Sequence, residues 1–115
     1  MIENRCVKPF LKWAGGKRWF ARNYAHFFPP NYSRYIEPFL GSGAVFFSIS
    51  PSNAVLGDSN SELIDTYQAI KDDWADVYKK LCQHQKKHSK EYYYRIRNTK
   101  PRKSSYKAAR LIYLN

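Results

Sequence analysis

Apolar residues recur at helical spacing over most of the chain, and two short apolar runs interrupt that pattern. The runs are Tyr35-Ile36 and Ala54-Val55-Leu56, and each is bounded by polar residues, proline or glycine. Short apolar segments bounded in this way are typical of buried strands. An apolar helix is predicted between them over residues 44–49, and the chain enters it through Gly41-Ser42-Gly43. The order strand, helix, strand favours an α/β fold.

Further helices are predicted before and after this unit. Apolar residues at helical spacing between Phe20 and Phe27 predict the earlier helix, and Pro29-Pro30 ends it. Ser59 and Glu62 have the spacing of a capping box, in which each side chain accepts a hydrogen bond from the backbone N–H of the other residue. The next helix is therefore predicted to begin there.

That next helix is predicted to break near its middle. Asp72-Asp73 interrupts its apolar stripe, and either acid can cap a second helix. Beyond Leu81, lysines take over the apolar positions. Two short helices are then predicted, around residues 92–96 and over residues 106–114, with a basic, proline-containing loop at residues 98–105 between them.

Charge is distributed unevenly along the chain. The net charge is +11, and residues 79–115 hold twelve of the twenty Lys and Arg residues but a single acid, Glu91. We therefore divide the chain into residues 1–80 and residues 81–115. A basic, tyrosine-rich segment attracts nucleic-acid phosphates through counterion release, although such charges also keep a helix face soluble. No long apolar run or signal sequence is present, so we expect a cytoplasmic monomer with no membrane partner.

The glycine turn at residues 41–43 is the first candidate binding feature, because a ligand can approach its backbone N–H groups closely. A dinucleotide fingerprint would need a third glycine where Phe46 stands. A Walker loop would need Ser or Thr after Lys17, where an arginine stands. A ligand with a ribose and without a phosphate is left, and S-adenosylmethionine fits. Asp58 follows the turn at about the spacing at which nucleotide-binding folds place an acid on ribose hydroxyls.

Three segments, in this order, carry a family resemblance: K-W-A-G-G-K at residues 12–17, E-P-F-L-G-S-G-A-V-F-F at residues 37–47 and G-D-S-N-S-E-L-I at residues 57–64. Together they resemble the N-terminal part of the Dam-type, class D12, adenine-N6 DNA methyltransferases. Residues 108–115 resemble the start of that family's DNA-contacting region. The resemblance implies a partial Rossmann-like, S-adenosylmethionine-dependent methyltransferase core followed by a basic helical part. It also implies that the chain is the front of a longer enzyme.

The resemblance further implies a set of residues that bind S-adenosylmethionine. Trp13 would stack on the adenine or enclose the sulfonium methyl, and Lys17 would bind the carboxylate of the cofactor. Asp58 would accept hydrogen bonds from both ribose hydroxyls, and Glu37 would contact the amino group or, equally, cap its own turn. The full predicted set is Trp13, Lys17, Glu37, Phe39, Gly41, Gly43 and Asp58. Plainer roles also fit some of them: Trp13 as a core aromatic, Asp58 as a helix-terminal acid, and Gly41 and Gly43 as turn glycines.

The acceptor side of the family's site is not predicted in this chain. Family members resemble one another in a D/N-P-P-Y/F segment that binds the adenine amino group, and this chain has only Phe28-Pro29-Pro30-Asn31, before the glycine turn. We interpret that segment as a helix stop, assign no catalytic residue and expect no methyl transfer by the chain alone. The residues predicted to contact double-stranded DNA are Arg95, Arg97, Lys100, Arg102 and Lys103.

Two alternative functions stay open. The last third also suits a non-enzymatic nucleic-acid-binding module, with the basic residues of 86–103 on phosphates and Tyr92-Tyr93-Tyr94 stacking on bases. A methyltransferase acting on RNA or on a small molecule is the other alternative, since the cofactor residues do not define the acceptor. His84 and His88 are four residues apart, but no third ligand accompanies them, so no metal site is predicted.

Overall fold

The structure, a computed structural model, describes residues 7–13 and 15–115. Its elements are α1 (Arg18–Tyr24), a 3-10 turn (Ala25–Phe27), β1 (Tyr35–Glu37), α2 (Ala44–Ile49), β2 (Ala54–Leu56), α3 (Ser61–Lys87), α4 (Lys90–Arg97) and α5 (Ser104–Leu114). They form two compact units, the first ending at Ser59 and the second running from Asn60 to Asn115. The boundary lies well before residue 80, where the charge distribution had placed it, because α3 belongs wholly to the second unit. The functional division at residue 80 stays a prediction.

Strands β1 and β2 form a two-stranded parallel sheet, which confirms the mixed helix and strand content. Tyr35 pairs with Ala54, Ile36 with Val55 and Glu37 with Leu56. The pairing extends beyond the strands, because the Gly57 N–H donates to the Glu37 carbonyl at 2.7 Å and the Leu40 N–H donates to the Gly57 carbonyl at 2.8 Å. A Rossmann fold has a larger parallel sheet, so the Rossmann-like core stays a prediction.

The prediction that the first strand is buried is wrong for one of its two faces. Ile36 is 65% exposed, and its partner Val55 is 51% exposed. Side chains alternate between the two faces of a sheet, so Glu37 lies on the face opposite Ile36. Glu37 is only 6% exposed, which shows that its face is the covered one.

Helix α2 begins and ends at residues with left-handed backbone. Gly43 precedes it with a φ of 75°, and Ser50 follows it with a φ of 49°. Ala44 and Val45 in its first turn are buried, whereas Ser48 is exposed. Within the apolar helix predicted over residues 44–49, full burial is therefore confined to Ala44 and Val45.

The start of α3 corrects the predicted capping box. The side chain of Asn60 accepts a hydrogen bond from the Leu63 N–H at 3.2 Å, and the helix begins at Ser61. Asn is as good an N-cap as Ser, so the cap moves one residue beyond Ser59. The predicted break is confirmed: Asp73 has non-helical backbone angles, and its Oδ1 accepts from the Asp76 N–H at 3.2 Å.

The second unit is a helical assembly in which α5 packs on α3. Its core consists of Ala69, Val77, Ala108 and Ala109, with Ile70, Leu81 and Ile112 packed against it. We call this contact between α3 and α5 the helix seam, and small residues such as Ala69, Ala108 and Ala109 allow two helices to pack closely there. Helices α4 and α5 begin and end close to the predicted positions. Across residues 7–13 and 15–115, the structure contains no helix with both the length and the apolar character that a membrane crossing requires.

Candidate functional site

A cleft of about 160 Å³ lies in the first unit, beside the two glycine turns of the sequence. It is lined by Trp13, Gly15, Gly16, Lys17, Phe39, Leu40, Gly41, Ser42 and Asp58. Five of the seven predicted cofactor residues are therefore neighbours, although they come from three separate segments of the chain. Sites for drug-sized ligands have volumes of about 300–1,000 Å³, so this cleft can hold only a portion of a cofactor of that size.

The backbone of the second glycine turn is shaped to bring the chain close to Trp13. Gly41 has a φ of 55°, and the N–H of Gly43 donates to the Leu40 carbonyl at 2.9 Å. Cδ1 of Trp13 lies 3.8 Å from the point that a Cβ on Gly41 would occupy. The indole therefore lies against the turn as one wall of the cleft, and it is half-buried there.

Asp58 is held at the edge of the cleft by the same turn. Its Oδ2 accepts a hydrogen bond from the Gly41 N–H at 2.9 Å. This bond joins the end of β2 to the glycine turn and orients the carboxylate. A carboxylate offers about four lone-pair positions, so it can accept from ligand hydroxyls as well as from protein donors.

Lys17 enters the cleft from the N-terminal end of α1. Its Nζ donates to Oε1 of Glu37 at 2.9 Å and also to the Phe39 carbonyl. The Lys17 side chain is 37% exposed, whereas that of Glu37 is 7% exposed. The ammonium is thus fixed at the boundary between the protein interior and the cleft. A lysine ammonium has three donors, so this one can still donate to an anionic ligand.

Glu37 and Gly43 do not line the cleft. Glu37 lies behind Lys17, and its Oε2 accepts a hydrogen bond from the Tyr35 hydroxyl at 2.5 Å. Burial, followed by the hydrogen bond to Glu37 and the charge of that residue, raises the pKa of Tyr35 well above its usual range. Gly43 lies at the N-terminus of α2. The predicted contacts of Glu37 and Gly43 with a cofactor stay predictions.

Sequence reasoning missed Tyr35 as a neighbour of the site. The signal that could have found it is its spacing of two residues from Glu37, because residues i and i+2 of a strand point to the same face. Nothing in the sequence pattern indicates that Lys17 occupies the far side of the same carboxylate.

The second unit exposes the five basic side chains that were predicted to contact DNA, namely Arg95, Arg97, Lys100, Arg102 and Lys103. Two of them, Lys100 and Lys103, line a groove of about 710 Å³ whose α3 side carries acidic residues. The Lys103 ammonium lies 2.9 Å from Oδ2 of Asp76 and 5.0 Å from the ring centre of Tyr106. The guanidinium of Arg95 lies 5.1 Å from the ring centre of Tyr92. The five basic side chains therefore differ in how strongly they already interact with other groups of the protein.

The two histidines that were weighed as metal ligands both contact tyrosines. Nδ1 of His84 lies 2.7 Å from the Tyr92 hydroxyl, and His88, just beyond the end of α3, has its Nδ1 2.8 Å from the Tyr113 hydroxyl. His84 is buried, and its Nε2 has no hydrogen-bond partner among the described residues. Burial, followed by the nearby lysine charges, lowers the pKa of His84. Within residues 7–13 and 15–115, no group of three His, Cys, Asp or Glu side chains is arranged to hold a metal ion.

Comparison with known proteins gives relatives over almost the whole chain. A type II methyltransferase, M1.LlaDCHI of Lactococcus lactis subsp. cremoris, is 42% identical over 93 residues, which cover 81% of this chain and 33% of the relative. The type II methyltransferase M.CviBI of Paramecium bursaria Chlorella virus NC1A is 33% identical over 111 residues, covering 94% of this chain and 42% of the relative. A DNA adenine methylase of Haemophilus influenzae is 41% identical over 64 residues, covering 56% and 22%.

The chain spans about a third to two fifths of the length of the first two of these relatives. The family model for the D12 class N6 adenine-specific DNA methyltransferases matches residues 13–115. That match includes all three segments on which the resemblance rests, apart from the first lysine of K-W-A-G-G-K. The chain therefore belongs to the D12 class of N6 adenine-specific DNA methyltransferases.

Proposed function

We propose that this chain contributes to the S-adenosylmethionine site of an enzyme that methylates N6 of adenine in DNA. The observation that carries the proposal is the single cleft that joins Trp13, Lys17, Phe39, Gly41 and Asp58. The relatives it matches are methyltransferases by name and are two to three times longer. Cofactor binding is therefore proposed for this chain, and methyl transfer for the whole protein.

The chemistry of the cleft suits a positively charged nucleoside that carries hydroxyls and a carboxylate. Asp58 is oriented to accept hydrogen bonds from hydroxyls, and the Lys17 ammonium can donate to a carboxylate. The Trp13 indole offers an aromatic face to a flat base or to a sulfonium centre. When bound, S-adenosylmethionine supplies an activated methyl group, and these side chains serve to hold and orient it.

The acceptor side of the reaction is the reason to expect no activity from this chain alone. Adenine N6 is a weak nucleophile, so the enzyme must accept hydrogen bonds from the amino group and stack an aromatic side chain on the adenine. The Phe28-Pro29-Pro30-Asn31 segment instead follows a 3-10 turn, and Phe28 leaves that turn with extended backbone. We expect no tritiated methyl group to reach DNA when the purified chain is incubated with labelled cofactor; labelled DNA would contradict this element of the proposal.

Calorimetric titration with S-adenosylmethionine tests the cofactor site directly. We expect Asp58→Ala to weaken binding about tenfold or more, because a hydrogen bond to a charged group contributes about 1.5–3 kcal/mol. Asp65→Ala is the matched control, since Asp65 is an exposed acid of the second unit. Unchanged affinity in the Asp58 variant, or no binding by the unaltered chain, would refute the proposed site.

We also propose that exposed basic residues of the second unit contact the phosphates of double-stranded DNA. Arg102 is the best single test, because it forms no ion pair with any described acidic side chain, whereas Lys103 is paired with Asp76. We expect Arg102→Ala to reduce the salt dependence of DNA binding by about one unit of slope, and Lys103→Ala to reduce it less. DNA binding with no cofactor binding would favour the non-enzymatic nucleic-acid module instead.

The setting we expect for the protein is a cytoplasmic monomer that meets DNA there. The residues that line the cleft all belong to one chain. Light scattering during size-exclusion chromatography tests the monomeric state, and a dimer would contradict it.

A further inference from the structure

Three side chains link the sheet to the cleft through hydrogen bonds. The Tyr35 hydroxyl donates to Oε2 of Glu37 at 2.5 Å, and Lys17 Nζ donates to Oε1 of the same carboxylate at 2.9 Å. The ammonium also donates to the Phe39 carbonyl, at the start of the glycine turn. The cleft residue Lys17 is thus held by two groups that lie behind it.

The carboxylate at the centre of this link is expensive to bury without partners. Glu37 is 6% exposed, so it depends on protein donors to replace water. Tyr35 occupies one of its oxygens and Lys17 the other. A tyrosine hydroxyl is protonated at neutral pH, and burial, followed by the hydrogen bond to Glu37 and the charge of that residue, raises the pKa of Tyr35 further, so the hydroxyl is a hydrogen-bond donor here.

We propose that Tyr35 is a positioning residue for the carboxylate end of the cofactor, and that it acts through Glu37 on Lys17. By occupying Oε2 with a hydrogen bond, Tyr35 favours contact of the ammonium with Oε1 and with the Phe39 carbonyl, at the boundary of the cleft. Without the hydroxyl, Oε2 lacks this donor, and the ammonium is drawn toward both oxygens of Glu37 and away from the ligand. This inference rests on the proposed cofactor site and adds a residue that does not line it.

The test compares two ligands that differ in the group Lys17 would hold. S-adenosylmethionine carries a carboxylate, whereas 5′-methylthioadenosine has the adenine and the ribose without the amino-acid moiety. Calorimetry on the purified 115-residue chain and on Tyr35→Phe measures both affinities. We expect Tyr35→Phe to weaken S-adenosylmethionine binding by about 3- to 10-fold, the effect of one hydrogen bond, and to leave methylthioadenosine within about twofold.

A second variant shows whether Tyr35 acts through Lys17. In a Lys17→Met background, where no ammonium is available, Tyr35→Phe should change neither affinity further. Tyr94→Phe, which removes a half-exposed hydroxyl in the second unit, is the matched control and should change neither affinity. Circular dichroism and thermal unfolding of each variant establish that it is folded.

Each outcome decides the question. Equal weakening of both ligands by Tyr35→Phe means that Tyr35 only supports the fold, and it overturns the inference. Unchanged affinities, or an undiminished effect of Tyr35→Phe in the Lys17→Met background, overturn it as well. If the unaltered chain binds neither ligand, the proposed cofactor site itself is wrong and the inference falls with it. If Tyr35→Phe does not fold, Glu37→Gln replaces it, and the loss must again be confined to S-adenosylmethionine.

Discussion

The two compact units differ in how they use their apolar residues. The second unit buries small residues along one seam, where Ala108 and Ala109 of α5 are at most 1% exposed. The first unit has two strands of three residues each, and leaves Ile36, Val55 and Phe39 more than half exposed. An isolated two-stranded sheet is marginally stable at best. The candidate cofactor site thus lies in the unit that contains this short sheet.

The candidate binding site and the stable helical core therefore depend on different kinds of contact in this chain. The cleft is built from hydrogen bonds to turns, such as that from the Gly41 N–H to Asp58, and from left-handed glycines. The helix seam is built from close side-chain packing between α3 and α5. A two-stranded sheet has few strand pairings and opens locally at low free energy, so we expect its amide protons to exchange faster than those of the α3–α5 pair.

The largest expected effect comes from overfilling the helix seam. Ala109→Leu adds three heavy atoms at a site that is 0% exposed, and we expect it to lower the free energy of unfolding by about 1–3 kcal/mol. Urea unfolding followed by circular dichroism measures the change. Ala75→Leu, at an exposed position of α3, is the control and should stay within about 0.5 kcal/mol. Equal losses in the two variants would show that the seam is not tightly packed.

The next effect concerns the backbone of the cleft. Gly41 has a φ of 55°, so Gly41→Ala should destabilise the first unit by about 1–2 kcal/mol through strain and not through a clash. Gly57→Ala should be neutral or stabilising by up to about 1 kcal/mol, because its added Cβ meets nothing closer than 3.7 Å and no positive φ is required. Hydrogen exchange over residues 35–58 measures both. A loss of stability in Gly57→Ala would contradict the expected difference between the two glycine positions.

A smaller effect is expected at the kink of α3. Asp73→Ala removes the side-chain acceptor for the Asp76 N–H and should cost the second unit about 1 kcal/mol. Asp72→Ala is the adjacent control, since it loses only an exposed hydrogen bond with Gln68, worth about 0.2–0.5 kcal/mol. Urea unfolding compares the two. If Asp72→Ala costs as much as Asp73→Ala, the cap at Asp73 does not stabilise the second half of α3.

We expect the buried imidazole of His84 to destabilise the second unit in acid, where it takes up a proton, but not at neutral pH. The pKa of His84 is lowered below 6.5 by burial and then by Lys80 and Lys87, so the unfolded chain binds the proton more readily than the folded one. Stability should therefore be complete above pH 6.5 and fall as the pH drops through the lowered pKa. Thermal unfolding between pH 7.5 and about 5 measures this loss, which lies above the range in which carboxylates take up protons.

His84→Gln should remove most of that acid sensitivity, because an amide does not titrate in this range. His88→Gln, the same substitution at an exposed position, is the comparison variant. An unaltered acid loss in the His84 variant would show that another group causes it.

Local sequence signals determined most of the elements. Pro29-Pro30 ended the first helical segment, and Asp73 broke α3 by capping its second half, because both effects act within a few residues. The chain also enters α2 through the glycine turn, as predicted. The three segments of the family resemblance could also be identified from the sequence, because each is a continuous stretch of chain.

The tertiary structure alone decided the contacts between segments that are far apart in sequence. It placed the carboxylate of Asp58 on the Gly41 N–H, seventeen residues away, and set Glu37 between Tyr35 and Lys17. It also left Ile36 exposed. A sequence pattern records which residues prefer a strand, a turn or a helix, whereas hydrogen-bond partners and burial depend on which segments meet in space.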